Sequence, residues 1–376
     1  MSKKKIIAAG HICLDITPAF NGTQERSVQD LFIPGALVEM KEASVSLGGA
    51  VSNTGIGLKL LGADVDLMGM IGDDPFSRMI LSEMERYGIS GDTMIVRSDI
   101  ATSYTVILAP PGIDRIALHY RGANDKYTLD DIDLEKVKQA NLFHFGYPPL
   151  MRSLYINQGA ELIRLIKTIH ETGVAVSLDM AMFEEATEAG QQDWNAILKE
   201  LLPYVDFFVP SVEELCLMLD RDRYHEWRER AAGKDITSIL DIEKDVKPLA
   251  DRLLEYGAKV VLIKCGTPGL YFRTADQATL SKIGGGIGGE IAEAWADQEA
   301  FEKSYLVKNV ASGIGAGDTT IAAFLASTIE GKSWEEALHL ATATGALCVQ
   351  TYDSLSGIKP LKEVEKLVAA GWEKRK

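Results

Sequence analysis

Leu142-Phe-His-Phe145, Val174-Ala-Val-Ser-Leu178, Phe207-Phe-Val209 and Val260-Val-Leu-Ile263 are compact apolar runs, and helix-length patterns fill the intervals between them. Runs that are apolar at nearly every position, not at alternate ones, suit strands covered on both faces. Parallel strands need long crossovers between them, and helices of that length supply the crossovers. The stretch from Asn141 to Ile263 therefore predicts an α/β fold, with a buried parallel sheet flanked by helices.

Upstream, Lys5-Ile-Ile-Ala-Ala-Gly-His-Ile-Cys-Leu-Asp15 reads as a further buried strand ending in a glycine turn. Val51 to Leu61 has helical spacing, and Asp64-Val-Asp-Leu-Met-Gly-Met-Ile71 follows as a strand. Asp74-Pro75 opens a helix through Tyr87 that Gly88 stops. Residues 16–45 show no steady period, only short apolar pieces such as Leu31-Phe-Ile-Pro34. Ser103-Tyr-Thr-Val-Ile-Leu108 and Arg115-Ile-Ala-Leu-His-Tyr120, split by Pro110-Pro-Gly112, carry a hairpin pattern. The expected organisation is one domain over residues 1–376, with segments of about 16–45 and 100–122 forming a small β lobe that closes over a substrate and excludes water. The charged stretch Arg221 to Val246 predicts an exposed helical insertion. Gly284-Gly-Gly-Ile-Gly-Gly289 reads either as a phosphate loop or as a flexible surface turn. No Lys-Ser/Thr pair follows it, which favours the turn.

With 46% hydrophobic and 25% charged residues, the 376-residue chain has the makeup of a folded protein with ample core. A net charge of −15 argues against nucleic acid or an anionic membrane as partner, so any bound phosphate must be gripped by local amides and a few cations. The four cysteines, Cys13, Cys216, Cys265 and Cys348, lie far apart in apolar surroundings, which suits buried free thiols and a reducing compartment. The apolar piece Ile6–Gly10 is too short for a secretory leader, and no run is long enough to span a membrane; a cytoplasmic protein is expected.

Gly313-Ile-Gly-Ala-Gly-Asp318 stands directly before the helix-like Thr319-Thr-Ile-Ala-Ala-Phe-Leu-Ala-Ser-Thr328. A glycine turn opening a helix aims several backbone N–H groups at one spot, and the helix dipole adds positive potential there. Asp318 in that spot is either a helix cap or a general base that takes a proton from a hydroxyl while the amides stabilise transferred negative charge. Ser46-Leu-Gly-Gly49 followed by Asn53 is a second constellation. Paired glycines before a helix let a ligand approach the backbone, and Asn53 offers a donor and an acceptor, which suits the neighbouring hydroxyls of a polyol as well as a plain helix start.

Joined to Asp15, to Gly48-Gly49-Ala-Val-Ser-Asn53 and to Gly69-Met-Ile-Gly-Asp73, the run Ser312-Gly-Ile-Gly-Ala-Gly-Asp318 resembles the ribokinase or PfkB family of small-molecule kinases. The resemblance covers most of the chain and is weakest between 221 and 246. It implies a Rossmann-like α/β/α three-layer core with a β-sheet lid, and transfer of the γ-phosphate of ATP, with Mg2+, to an alcohol of a sugar or nucleoside. By motif, Asp318 matches the family's catalytic base, and Gly315, Ala316 and Gly317 its anion hole. Asp15, Gly48, Gly49 and Asn53 match positions that bind acceptor hydroxyls. Glu214, in Ser211-Val-Glu-Glu214, aligns with the glutamate that organises magnesium, or else is a helix-start residue. Lys264, Gly266 and Gly269, in Ile263-Lys-Cys-Gly-Thr-Pro-Gly269, resemble the nucleotide-side strand and turn, with Lys264 either reaching a phosphate or solvated. Thr342 stands where an asparagine commonly sits by the adenine.

The chain also departs from the family pattern. Ser211 replaces the family's asparagine, and Ser312-Gly313-Ile314 stands where the last motif usually begins with aspartate. In many members that aspartate helps hold a monovalent cation, so little or no potassium activation is expected here. The reading is thus a sugar kinase acting on a small sugar-like substrate. A nucleoside kinase of the same family and a catalytically silent sugar or nucleotide sensor are the alternatives. A dinucleotide-binding oxidoreductase is set aside because its glycine fingerprint belongs after the first strand. Acceptor choice is expected to rest on lid residues such as Tyr104, His119 and Arg121, the last either greeting an acceptor phosphate or forming a structural ion pair. Pairing of two copies through exposed lid strands is the assembly this predicts.

Overall fold

The computed structural model describes residues 4–21, 33–110 and 116–375. The lid turn at Pro111-Gly112, Arg115 and the apolar pair Leu31-Phe32 lie outside the described residues. The strands run, in chain order, β1 Lys5–Gly10, β2 Cys13–Phe20, β3 Met40–Gly48, β4 Asp64–Gly72, β5 Met94–Arg97, β6 Tyr104–Leu108, β7 Ile116–Tyr120, β8 Leu142–Gly146, β9 Ala175–Asp179, β10 Phe207–Phe208, β11 Val260–Lys264, β12 Gly269–Thr274 and β13 Glu299–Lys303.

Among the described residues, nine of these form the main sheet in the order β13-β12-β11-β10-β9-β8-β1-β4-β5. From β11 through β5 the pairing is parallel, and β12 and β13 close one edge antiparallel. The two faces share the strand residues by alternation: Ile7 and Ala9 of β1, Phe143 and Phe145 of β8, and Val261 and Ile263 of β11 enter one apolar cluster. Ile6 and Ala8, Leu142, and Val260 and Leu262 enter the other. Both faces are thus covered, which is why these strands read as near-continuous apolar runs.

The helices used below are α1 Ala50–Leu61, α2 Val212–Leu219, α3 Arg221–Ala231, α4 Ala316–Ile329 and α5 Trp334–Cys348. Helices α1, α4 and α5 cover the second face; α2 and α3 lie on the first. Gly345 of α5 lies so close to α4 that a Cβ there would meet Thr320 Oγ1 at 2.5 Å, so a side chain would push the two helices apart. The remaining four strands make a small sheet, β3-β2-β6-β7. The hairpin read at 103–120 is present as antiparallel β6 and β7, while β6 also pairs in parallel with β2.

Two local expectations differ from the structure. The stretch 221–246 is not simply exposed: Trp227 of α3 is fully buried and donates through Nε1 to Asp245 at 3.2 Å, and Arg230 bonds the same carboxylate. Its many charges mask one large apolar side chain that anchors it. The glycine-dense 284–289 turn is tied down rather than loose, because Gly285 N–H donates to Gly173 and Asn141 Nδ2 donates to the Gly285 carbonyl. Asn141 and Gly173 precede β8 and β9, so this turn sits at the amino ends of the sheet strands.

Candidate functional site

The carboxyl ends of the parallel strands converge on one cleft, the place where open α/β sheets bind ligands. Tyr147 follows β8, Asp179 ends β9, Ser211 and Glu214 follow β10, and Lys264 ends β11. All five line a cavity of about 790 Å³, together with Gly266, Gly269, Gly313, Gly315, Ala316, Gly317, Asp318 and Thr342. Asp235 and Thr237 line it as well, so the charged insertion reaches the same cavity.

Gly315 caps α4 with φ 70°, in the left-handed region, and a Cβ on it would meet Ser354 Cβ at 2.1 Å. Glycine is the residue that allows this turn. The helix it opens presents first-turn amides without intrahelical acceptors. Asp318 lies in that first turn, 4% exposed, and its carboxylate receives several donors. Tyr147 Oη lies 2.7 and 2.8 Å from its two oxygens, Asn53 Nδ2 donates to Oδ2 at 3.0 Å, and Thr54 Oγ1 is 3.4 Å from Oδ1. Burial raises the Asp318 pKa above the usual carboxylate value, while Lys264, Tyr147 and Asn53 pull it back. A carboxylate so placed can take up a proton beside a cradle of N–H groups.

Lys264 Nζ pairs with Asp179 Oδ1 at 2.7 Å and lies beside the glycine loop, 3.6 Å from where a Cβ on Gly317 would stand. Burial pushes the Asp179 carboxyl up against the opposing pull of Lys264. Burial alone would lower the Lys264 pKa, but attraction to Asp179 and then Glu214 raises it overall, so the ammonium stays charged. Glu214 accepts the Ser211 N–H at 2.9 Å in a capping box at the start of α2. It is at once a helix-start residue and a cavity wall. Thr342 also faces the cavity, but its hydroxyl donates to Leu338 and His339 carbonyls of its own helix, the usual partner of a mid-helix threonine.

The acceptor-side candidates sit where β2, β3 and α1 meet. Gly48 ends β3 against Asp15 of β2, and a Cβ there would lie 2.3–2.6 Å from the Asp15 carboxylate. Gly49 takes φ 86° with the His11 carbonyl close behind it. Asn53, a turn further on, bridges this corner to the other site: its Nδ2 reaches Asp318 and its Oδ1 accepts from Ser354 Oγ at 2.8 Å. The structure therefore brings Asn53 and Asp318 together and keeps Asp318 open to the cavity. Of the lid candidates, His119 meets His11 with Nε2 atoms 3.3 Å apart, and Tyr104 packs its ring on Phe76 and Tyr120. Arg121 donates to Tyr155 Oη and lies over that ring, a structural contact.

Sequence reasoning missed Tyr147, Asp179, Thr54 and Ser354. Asp179 had a signal, an acid placed directly after the buried run Val174–Leu178 of a parallel sheet. Ser354 had none, since its partner Asn53 is 301 positions away.

Residues 4–360 match the family model described as pfkB family carbohydrate kinase. The chain belongs to that family. It is a phosphotransferase that moves a phosphoryl group from ATP to a sugar hydroxyl. A curated relative, an uncharacterized sugar kinase of Archaeoglobus fulgidus, is 24% identical over 303 residues, covering 81% of this chain and 98% of its own. A 5-dehydro-2-deoxygluconokinase of Clostridium perfringens is 23% identical over 97% of this chain and 93% of its own. The Arabidopsis thaliana ribokinase solved with ribose and ATP superposes with a TM-score of 0.70 at 22% identity, over 97% and 99% of the two chains. That likeness bears out the expected fold, a helix-flanked central sheet with a second small sheet. All four cysteines are buried and free. No helix among the described residues is long and apolar enough to cross a membrane.

Proposed function

We propose that the kinase acts on a sugar or sugar-like polyol with Asp318 as general base. The observation that carries this is the Asp318 carboxylate itself, buried in the first turn of α4, open to the cavity and joined to the polyol-binding corner through Asn53. In this reading the triphosphate lies along Gly266, Gly269 and Thr342, and Lys264 is the cation nearest the transferred group. The amides of Gly315, Ala316 and Gly317 stabilise the charge that develops there, usually the largest catalytic contribution. Asp15, Gly48, Gly49 and Asn53 hold the acceptor hydroxyls. Asp318 accepts the proton of the attacking hydroxyl as its oxygen bonds to phosphorus and the bond to ADP breaks.

Magnesium fits the donor set. The described residues contain no group of three or more His, Cys, Asp or Glu arranged as a metal cage. Mg2+ usually takes one or two carboxylates plus substrate phosphates, and Glu214 with Asp179 offers that number on the cavity wall. The ion supplies neutralisation of phosphate charge.

A sugar suits the lid better than a base, because Tyr104 is packed between Phe76 and Tyr120 instead of lying open for stacking. The kinase domain is read as the whole chain, with the small sheet as its lid. Exposed Val45, Leu118 and Tyr120 on that sheet favour two copies pairing through it, which the molecular mass in solution reads directly. A cytoplasmic location is part of the same reading, checked by fractionation.

The test is turnover with a panel of sugars, sugar acids and nucleosides in a coupled ADP assay, with wild type and Asp318→Asn side by side. The variant should lose roughly 10²–10⁴-fold in kcat, the usual cost of a positioned base. Its acceptor affinity should hold. A kcat near the wild-type value would refute the role of Asp318, and silence of the wild type on every acceptor would favour a sensor.

A further inference from the structure

Asp318 already holds three side-chain donors, and one of them stands where a substrate hydroxyl would have to bind. An ionised carboxylate offers about four lone-pair sites. The Tyr147 hydroxyl sits nearly equidistant from both oxygens, at 2.7 and 2.8 Å, and so covers the side of the carboxylate that faces it at both atoms. Asn53 approaches Oδ2 and Thr54 approaches Oδ1. An acceptor alcohol arriving to give up its proton competes with the phenol for the side of the carboxylate that the phenol covers. The phenol is itself an O–H donor, the same kind of group the base is built to receive.

The backbone holds Tyr147 in this pose. Its φ of 66° and ψ of 40° lie in the left-handed region, which costs a side-chain-bearing residue roughly 1–2 kcal/mol. It stands between Gly146, where a Cβ would strike Ala50 Cβ at 2.1 Å, and the Pro148-Pro149 pair, so the main chain is fixed on both sides. Strain of this kind persists where the surroundings over-determine it. Here it aims the ring from the end of β8 at a carboxylate 171 positions later. Tyr147 is part-buried and borders the cavity, and opening the gate requires its ring to turn into that space while its backbone stays. Among the described residues its hydroxyl has no other hydrogen-bond partner.

We infer that Tyr147 gates the base: its phenol holds the acceptor's place on Asp318 until a sugar hydroxyl displaces it. The inference rests on the reading of Asp318 as general base. Its consequence is protection of bound ATP. Wasteful hydrolysis would form a bond from water oxygen to the γ-phosphorus, break the bond to ADP and hand the water proton to Asp318. With the phenol across both oxygens, a water must displace it before it can hand that proton to the base. Burial and the neighbouring Asp318 hold the Tyr147 hydroxyl well above its ordinary pKa, so it remains a donor across the working range.

The experiment is phosphate release from Mg-ATP by the full chain with no acceptor present, in wild type, Tyr147→Phe, Asp318→Asn and the double variant. Tyr147→Phe should release phosphate at least about tenfold faster than wild type, a modest part of what a freed base can supply. The gain should vanish in the double variant. If Tyr147→Phe is no faster while Asp318→Asn slows the wild-type background, the gate is wrong and the base survives. If the gain persists in the double variant, hydrolysis bypasses Asp318 and both readings fall. A phosphate added to the wild-type peptide carrying Tyr147, seen by mass, would also overturn the gate by making the phenol an acceptor. Thermal unfolding with and without Mg-ATP checks that each variant still binds nucleotide, and Tyr147→Leu is measured if Tyr147→Phe fails that check.

Discussion

From Asp318 to Ile329 every residue of α4 is buried, whereas Lys41 to Val45 of β3 in the small sheet are all exposed. The two sides of the cleft are therefore held by different forces. On the α4 side, Lys264, Asp179 and Asp318 are positioned by a close-packed core and by an ion pair at 2.7 Å. On the lid side, β2, β3, β6 and β7 are joined by ladder hydrogen bonds, with a face open to water. The difference teaches where precision and adaptability are kept. In the proposed reading, chemistry common to any acceptor benefits from a fixed cradle, while recognition of one acceptor falls to residues of the small sheet.

The sharpest way to break this contrast is Gly315→Ala. The left-handed backbone already strains alanine, and the new methyl would stand 2.1 Å from Ser354 Cβ, so the turn must shift. Moving the amides off target should lower kcat by about 10²–10³-fold, the scale of losing one oxyanion donor. Stability should fall by roughly 1–3 kcal/mol from overpacking. Because Ser354 also donates to Asn53, the variant should disturb both halves of the site together. Steady-state kinetics with thermal unfolding reads both effects, and a variant with intact kcat would show that the loop is not the anion hole.

The reading of the two sides from sequence divides along the same line. Strands buried on both faces announce themselves through near-continuous apolar runs, and the glycine turn before α4 is a local signal with a local cause. What stayed hidden depends on contacts between distant positions. Nothing near Gly146-Tyr147-Pro148 says that its phenol will reach Asp318, and the parallel pairing of β2 with β6 leaves no mark on either strand. The insertion misled in the opposite sense, because its charges outweigh the one tryptophan that buries it. The resemblance supplied Glu214 and Lys264 by motif. It did not supply Asp179, the partner that keeps Lys264 charged beside the loop.

A milder probe belongs to the lid side. Gly48→Ala would set a methyl 2.3–2.6 Å from the Asp15 carboxylate and displace it, while leaving Asp318 and its donors in place. Losing a hydrogen bond to a charged group is worth about 1.5–3 kcal/mol, so acceptor KM should rise by roughly 10–100-fold. Little change in kcat is expected, because an interaction made equally in ground and transition states affects binding alone. A loss in kcat with KM unchanged would mean that Asp15 serves the chemistry and that the division between the two sides is drawn in the wrong place.

The smallest effect is expected from the monovalent cation. Ser312 is uncharged, and its hydroxyl oxygen already accepts the Ile314 N–H at 3.1 Å, so it is engaged in holding the turn. The buried ammonium of Lys264 already stands beside the glycine loop, held there by its ion pair with Asp179. Turnover in potassium, sodium and an organic cation at equal ionic strength should therefore coincide, with any shared decline coming from screening. A gain specific to potassium would place a cation beside the loop and show that the α4 side is less self-sufficient than its packing suggests. The natural follow-up is Ser312→Asp, which should create such dependence if the loop can accommodate the ion, and should leave the salt profile flat if the Lys264 ammonium already supplies the charge.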